Sequence, residues 1–229
     1  MNDRLQAATI NRTGAASGAI DDQARRVLRN TWNLLALTLL FSAGTALLSM
    51  ANNWPHPGMI ITLVGYFGLL FLTMSLRNSA WGLLSVFALT GFMGLTLGPI
   101  ISSYLTMFSN GHQLVISAMG ATGVTFLALS AYAVTTKKDF SFMGSFLFAG
   151  ILVAFLAGLA SAIFSLPALG LVVSAMFAVL MCGLIVFQTQ QIVKGGERNY
   201  IMATVTLFVS IYNMFLSLLH LFGFFFGEE

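Results

Sequence analysis

Long apolar stretches alternate with short polar ones along most of the chain. A membrane-spanning α-helix needs about 20 mostly apolar residues. The pattern predicts an all-α membrane protein with seven transmembrane helices, at residues 31–51, 57–76, 81–105, 112–134, 142–164, 168–192 and 200–222. The connections are too short to hold a folded domain. We therefore expect a cytosolic tail, 1–30, a seven-helix bundle, 31–222, and a short outer tail, 223–229.

The composition supports a membrane protein and excludes two other classes. Hydrophobic residues make up 58% of the chain and charged residues 7%, whereas a soluble domain carries about 25% charged residues. A soluble enzyme of this size could not bury so much apolar surface. A disordered chain would be far more polar. None of the 10 Lys and Arg or 7 Asp and Glu residues lies inside a predicted span.

The basic residues predict the orientation. All ten fall on one side of the predicted bundle: Arg4, Arg12, Arg25, Arg26, Arg29, Arg77, Lys137, Lys138, Lys194 and Arg198. Because positive residues accumulate on the cytoplasmic side of membrane proteins, we expect the N-terminus inside and the C-terminus outside. The basic pI of about 9.3 is then a topology signal, and no nucleic-acid partner is expected.

The tail before the first span has two parts. Residues 1–20 are small and polar without apolar periodicity, which is typical of a mobile segment. Asp21 and Asp22 suit a helix N-terminus, and Arg25, Arg26 and Arg29 follow at helical spacing. This basic segment is predicted to anchor the tail on anionic lipid headgroups. The tail can also serve as a cytosolic handle for a partner.

Polar residues form a stripe along the seventh span. Successive members are 4, 3, 4 and 3 residues apart, so they share one helix face: Thr206, Ser210, Asn213, Ser217 and His220. Polar groups in a membrane avoid lipid, so we expect the stripe inside the bundle. It provides either interhelical hydrogen bonds or the wall of a polar pathway. Gln188 and Gln191 of the sixth span lie three residues apart and can share in these contacts.

Small residues predict close helix packing in two spans. Gly94 and Gly98 precede Pro99 in the third span, where proline removes a backbone hydrogen bond and bends the helix. Gly150 and Gly158 belong to a ridge of small residues spaced by four in the fifth span. Both patterns are typical of helices that approach closely.

A search for catalytic or metal-binding residues finds little. Cys182 is the single cysteine, which excludes a disulfide within the chain. His56, His112 and His220 are predicted on the outer side, and scattered surface histidines explain them better than a metal site. Ser217 precedes His220 by one helical turn, but such a pair recurs by chance. We expect no catalytic residue, no metal and no cofactor.

Five segments together resemble the Bax inhibitor-1 family, also called the transmembrane Bax-inhibitor-motif family. They are residues 94–100, 118–126, 132–140, 187–190 and 206–213, and the resemblance covers about residues 25–222. The segments 26–31, 195–200 and 203–207 are similar to the bacterial YccA-like branch. The resemblance implies a bundle with span seven at its centre, in the bacterial inner membrane with a periplasmic C-terminus.

The same resemblance implies two functions. YccA-like proteins modulate the membrane AAA+ protease FtsH, as inhibitors and as substrates, so FtsH and the lipid bilayer are the implied partners. Other members are pH-sensitive calcium leaks that use paired aspartates, and Gln188 and Ser210 occupy those two positions here. Neither residue titrates near neutral pH, and calcium prefers carboxylates. We therefore expect a regulator, with a calcium or cation leak as the alternative, and the oligomeric state stays open.

Overall fold

The structure, a computed structural model, describes residues 22–228. The tail at 1–21, with its predicted handle, and Glu229 lie outside the described residues. Within them the chain forms seven α-helices, each long and apolar enough to cross a membrane. They are α1 Asp22–Ala51, α2 Met59–Leu76, α3 Trp81–Met107, α4 Gly111–Thr135, α5 Met143–Ile163, α6 Pro167–Val193 and α7 Tyr200–Phe226. The predicted all-α, seven-span fold is confirmed.

The helices at the two ends of the described chain extend beyond the predicted membrane spans. α1 begins at Asp22, so the basic segment forms the first turns of the same helix that crosses the membrane. α7 continues through Gly223 to Phe226, four residues beyond the predicted 222. Most of the expected outer tail, 223–229, is thus the last turn of α7.

The bundle is built around α7. This helix packs against α1, α3, α4 and α6, while α2 packs mainly on α3 and α5 on α6. Buried residues make up 56% of the most apolar window of α7 but only 6% of that of α2. The central position of the seventh helix is confirmed, although its direct neighbours are mainly four of the other six helices.

Small residues bring neighbouring helices into close contact. A Cβ on Gly94 of α3 would collide with the backbone carbonyl of Ser42 in α1, and one on Gly98 would lie 2.7 Å from the carbonyl oxygen of Ala46. In α5, a Cβ on Gly150 would lie 2.7 Å from the Leu180 side chain of α6, whereas Gly158 leaves ordinary van der Waals space. α3 therefore packs backbone to backbone on α1.

The two ends of the bundle carry different charges. The start of α1 and the loops 77–80, 136–142 and 194–199 form one end, which we call the basic end. It holds the eight Lys and Arg residues of the described chain: Arg25, Arg26, Arg29, Arg77, Lys137, Lys138, Lys194 and Arg198. At the opposite end, the backbone N–H of Ser109 donates to the carbonyl of Glu228, which follows α7, at 2.8 Å.

Candidate functional site

One face of α7 is only half-buried along almost its whole length, and we call it the α7 seam. Its residues repeat at alternate spacings of four and three and are Met202, Thr206, Val209, Asn213, Leu216 and His220, the last being exposed. Ser210 and Ser217, on the adjacent face, are buried. The predicted polar stripe therefore divides, with three members on the seam and two in the core.

Three polar residues of the stripe form hydrogen bonds within α7 itself. Thr206 donates to the carbonyl of Met202 at 3.0 Å, and Ser210 donates to that of Thr206 at 2.7 Å. Asn213 donates one N–H to the carbonyl of Val209 at 2.8 Å. A side chain reaches the carbonyl four residues back in a helix, so these donors need no other helix. The expected interhelical bonds are absent for these three residues within 22–228.

Among the residues of the stripe, His220 forms an interhelical hydrogen bond. Its Nδ1 lies 2.7 Å from the hydroxyl of Ser174 in α6. The same hydroxyl lies 3.0 Å from the carbonyl oxygen of Gly170, and the tautomer of His220 sets which of the two side chains donates. The partner of His220 is Ser174 rather than Ser217. The pair therefore joins α6 to α7 near the opposite end.

Other interhelical hydrogen bonds come from residues that sequence reasoning missed. The hydroxyl groups of Thr96 in α3 and Tyr212 in α7 lie 3.3 Å apart. The hydroxyl oxygen of Thr204 in α7 lies 3.4 Å from the backbone carbonyl oxygen of Thr31 in α1, to which it donates. The sequence shows these residues only as single hydroxyl groups within apolar spans. Which groups pair depends on how each helix is rotated about its own axis.

Gln188 lies inside the bundle but has no partner for its amide. The residue is 7% exposed, and its Nε2 makes no hydrogen bond within 22–228. The same holds for three buried hydroxyl oxygens: Thr31 Oγ1, Ser130 Oγ and Thr189 Oγ1. Gln188 and Ser210 form no hydrogen bond with each other, and the Ser210 hydroxyl donates to the carbonyl of Thr206 in its own helix. Buried polar groups normally have a partner, so these four atoms mark where water or another molecule can bind.

Gln191 lies at the end of α6 and does not reach α7. It is half-buried, and its carbonyl accepts hydrogen bonds from the N–H groups of Gly196 and Glu197, at 2.9 and 3.0 Å. The neighbouring Gln190 forms side-chain hydrogen bonds to the α4–α5 loop rather than to α7. Its Nε2 donates to the carbonyl of Lys138 at 2.6 Å, and its Oε1 accepts from the N–H of Phe140 at 2.8 Å. This buried amide fastens the α4–α5 loop to α6.

Two further contacts hold the loops of the basic end together. Lys194 and Asp139 form an ion pair at 2.7 Å, and the hydrogen bond from Lys194 holds the pKa of the Asp139 carboxyl well below its usual value. Asn199 accepts hydrogen bonds from the N–H groups of Ile201 and Met202 at the start of α7. It also donates to the carbonyl of Arg77 at 3.0 Å. The loops after α2, α4 and α6 are therefore each attached to a neighbour.

The first turns of α1 lie against the α6–α7 loop. Ala24 and Val27 are buried there and line a cavity of about 20 Å³ with Gln23, Gly195, Glu197 and Arg198. The predicted anchor residues Arg25, Arg26 and Arg29 are exposed. Their positions leave them available to headgroups or to an acidic partner.

A second cavity, of about 320 Å³, lies at the opposite end between α4 and α7, and Asn110, Gln113, Ser117 and Phe222 are among its lining residues. Among residues 22–228, no three His, Cys, Asp or Glu side chains are grouped so that they could hold a metal ion. His56 and His112 lie apart from His220 on other elements of the same end.

The seven apolar helices around a central seventh helix define a multi-pass, helical membrane protein. The profile of the family described as Bax1-I, inhibitor of apoptosis-promoting Bax1, matches residues 24–227, and the chain belongs to this family.

Three relatives are similar to this chain over most of their length. The Escherichia coli K12 protein named modulator of FtsH protease YccA is 46% identical over 222 residues, covering 97% of this chain and 98% of its own. An uncharacterized protein of Pseudomonas aeruginosa is 51% identical over 203 residues, covering 89% and 91%. A relative from Escherichia coli O6:H1 carries the name inner membrane protein YccA. The expected inner-membrane location agrees with that name.

Proposed function

We propose that this chain is an inner-membrane modulator of the AAA+ protease FtsH, which it inhibits and which degrades it. It slows the degradation of other membrane proteins by occupying the protease. The observation that carries the proposal is the near full-length similarity to the Escherichia coli relative that bears the name modulator of FtsH protease.

The architecture of the described residues fits such a role. Asp22, the first described residue, lies at the basic end, on the same helix as the exposed arginines of α1. With that end in the cytoplasm, as the positive residues favour, residues 1–21 are within reach of an ATP-driven unfoldase. At this end, side-chain hydrogen bonds and packing join the start of α1 and the ends of α2, α4 and α6 to neighbouring loops. The bundle is therefore held together next to this handle.

Co-purification from membranes in a gentle detergent tests the proposal. The full-length chain should retain FtsH, and its overproduction should lengthen the half-lives of other membrane substrates of FtsH. Failure of both measurements overturns the proposal. Deleting residues 2–20 should leave the bundle folded and prolong the lifetime of this chain, and an unchanged lifetime contradicts the handle alone.

A calcium or cation leak is the second candidate, favoured by the unpartnered buried amide of Gln188 and the three unpartnered hydroxyl groups. These atoms can hold water inside the bundle. Against the leak, every Asp and Glu of the described chain lies at the bundle ends or in loops, so no interior carboxylate is present to bind calcium or to titrate. We expect little calcium flux from the purified chain in liposomes, and some after Gln188→Asp with Ser210→Asp. Strong acid-dependent flux from the unchanged chain favours the leak.

A further inference from the structure

We propose that the cavity of about 320 Å³ between α4 and α7 binds one phospholipid whose headgroup carries an ammonium group, of the phosphatidylethanolamine class. The cavity lies at the end of the bundle opposite the basic end. Its lining, its depth in the membrane and the single charge beside it point to this ligand. A lipid there is separate from the proposed protease partner, so its binding does not depend on the proposed function.

The cavity has an apolar wall and two side chains that are free to form hydrogen bonds. Leu114, Phe222 and Phe226 form the apolar wall. Gln113 and Ser117 are exposed lining residues of α4, and neither makes a side-chain hydrogen bond within 22–228. Ligand pockets combine apolar surface with a few placed polar groups in this way. The cavity therefore suits a molecule that has both an apolar part and hydrogen-bond acceptors.

Asn110, the remaining lining residue, holds the two sides of the cavity together. Its Nδ2 donates to the carbonyl of Phe226 at 2.7 Å, and its Oδ1 accepts from the N–H of Glu228 at 3.2 Å. The backbone N–H and the hydroxyl of Ser109 both donate to the carbonyl of Glu228, at 2.8 and 3.1 Å. These bonds fix the residues that follow α7 beside the start of α4, so the cavity keeps its shape without a ligand.

The free donors lie at the depth where a phospholipid carries its acceptors. α4 has 25 residues and is about 38 Å long at 1.5 Å per residue. When centred, it extends about 4 Å beyond each face of a hydrocarbon core of roughly 30 Å. Gln113, near the start of α4 at Gly111, then lies at that face, and Ser117 lies about 5 Å inside it. Phospholipid ester groups meet the hydrocarbon at this boundary, where they can accept a hydrogen bond from Ser117.

Glu228 selects the headgroup. Within the described residues it is the one Asp, Glu, Lys or Arg at this end, since the other eleven lie at the basic end. Its backbone bond to Asn110 places it beside the cavity. An anionic headgroup would meet this carboxylate with no Lys or Arg of the described chain to offset the repulsion. An ammonium headgroup instead forms an ion pair with it.

The order of these groups matches the order within such a lipid. From the surface inwards the chain presents Glu228, then Gln113, then Ser117. Phosphatidylethanolamine presents its ammonium group, then its phosphate and then its ester groups. The Gln113 amide can thus donate to the phosphate while Ser117 donates to an ester, and the acyl chains pack on Leu114 and Phe222.

Native mass spectrometry of the full chain in a mild detergent tests the site. The chain and its Ser117→Leu variant are each given phosphatidylethanolamine or phosphatidylglycerol with the same acyl chains. Leucine removes the hydroxyl donor and fills part of the cavity at an exposed position. Retained phosphatidylethanolamine should fall about 3- to 10-fold, as for the loss of one hydrogen bond, and retained phosphatidylglycerol should change little. Equal retention of phosphatidylethanolamine by both chains overturns the proposal, and so does an equal loss of both lipids.

Ser103→Leu is the matched control. Ser103 is exposed near the end of α3, at the same end of the bundle but outside the cavity lining. Its hydroxyl already bonds to the carbonyl of Pro99 in its own helix. This variant should retain as much phosphatidylethanolamine as the unchanged chain. A loss equal to that of Ser117→Leu overturns the proposal, because it assigns the lipid to the general surface of the bundle.

Glu228→Gln tests the headgroup assignment and leaves the backbone bonds to Ser109 and Asn110 in place. It should lower retained phosphatidylethanolamine about 2- to 5-fold, the range for one exposed ion pair. Retention of phosphatidylglycerol should stay the same or rise, because the repelling carboxylate is gone. Unchanged retention of both lipids in this variant contradicts the selection by Glu228 and overturns the proposal as stated.

Photo-crosslinking locates the lipid on the unchanged chain. A phosphatidylethanolamine with a photoreactive group next to its glycerol is added at one lipid per chain, and the crosslinked peptides are mapped. We expect crosslinks within residues 110–117 and 222–228. Crosslinks spread over the lipid-facing helices α2 and α5, with none in these two segments, overturn the site.

Discussion

Ser49 of α1 donates its hydroxyl hydrogen to the carbonyl oxygen of Leu95 in α3, at 3.0 Å. That carbonyl lies four residues before Pro99, which has no N–H to offer it. Ser49 is 1% exposed, so solvent water does not reach the Leu95 carbonyl from the side of Ser49. A side chain of one helix therefore replaces the backbone hydrogen bond that proline removes from the next, and α3 continues without a break from Trp81 to Met107.

Ser49→Ala should destabilise the bundle by about 1–3 kcal/mol, because it leaves a buried carbonyl without a donor. Pro99→Ala restores the backbone N–H, so Ser49→Ala should cost less in that background. Thermal unfolding can be followed with a thiol-reactive dye on Cys182, the single cysteine of the chain. Ser103→Ala, which removes an exposed hydroxyl bonded to the carbonyl of Pro99, is the control. An equal cost of Ser49→Ala in both backgrounds would show that Ser49 acts through packing instead.

Gly94→Ala should be strongly unfavourable. The added methyl group would overlap the backbone carbonyl of Ser42, which cannot rotate away as a side chain can, and forced overpacking costs about 1–3 kcal/mol. Gly120→Ala is the matched control, because a Cβ there meets no atom within 4 Å, and it should stabilise α4 by about 0.5–1 kcal/mol. Similar melting temperatures for the two variants would contradict the close approach of α1 and α3.

Much of the fold follows from the sequence, because hydrophobic length and the placement of charge are local properties. The division into seven spans needed only the polar breaks between them. The start of α1 at Asp22 follows the acidic cap and the spacing of Arg25 and Arg26. The central position of α7 came from a family resemblance, since the polar stripe alone is equally compatible with an edge helix.

The pairing of polar groups could not be predicted. A threonine or serine in a helix can donate to its own backbone or to a neighbour, and the choice depends on how the helix is rotated. Thr206 and Ser210 donate to the backbone of their own helix, whereas Ser49 donates to a neighbouring helix. Ser174 gave no signal as the partner of His220, because the two lie 46 positions apart and meet only after α6 and α7 pack.

The ion pair between Lys194 and Asp139 should not respond to mild acid. The pKa of Asp139 is lowered in the folded chain, so the pair contributes above the ordinary carboxyl pKa of about 3.9 and is lost only as the pH falls through the lower folded value. Between pH 8 and 5, Asp139→Asn should therefore change the melting temperature by a constant, small amount, since both side chains are exposed. A difference that grows across that interval would assign acid sensitivity to this loop.

Gln190→Met should destabilise the basic end. Its amide makes two short hydrogen bonds to the backbone of the α4–α5 loop and is 3% exposed. Methionine fills a similar volume but leaves the N–H of Phe140 and the carbonyl of Lys138 unpaired, at about 1–3 kcal/mol for each group that stays buried. Hydrogen exchange of the Phe140 amide should rise in the variant. Unchanged protection at Phe140 would mean that water replaces the glutamine.

Gln188→Met is the matched substitution two residues earlier, and the opposite sign is expected. The Nε2 of Gln188 is buried and has no partner within the described residues, so glutamine already carries the cost of losing water without the gain of a hydrogen bond. Replacing it with an apolar side chain of similar volume removes that cost and should stabilise the bundle by about 1–3 kcal/mol. A loss of stability comparable to that of Gln190→Met would instead show that the amide holds an internal water molecule. That result would strengthen the leak as the function of this interior, because Gln188 would then be hydrated between α6 and α7.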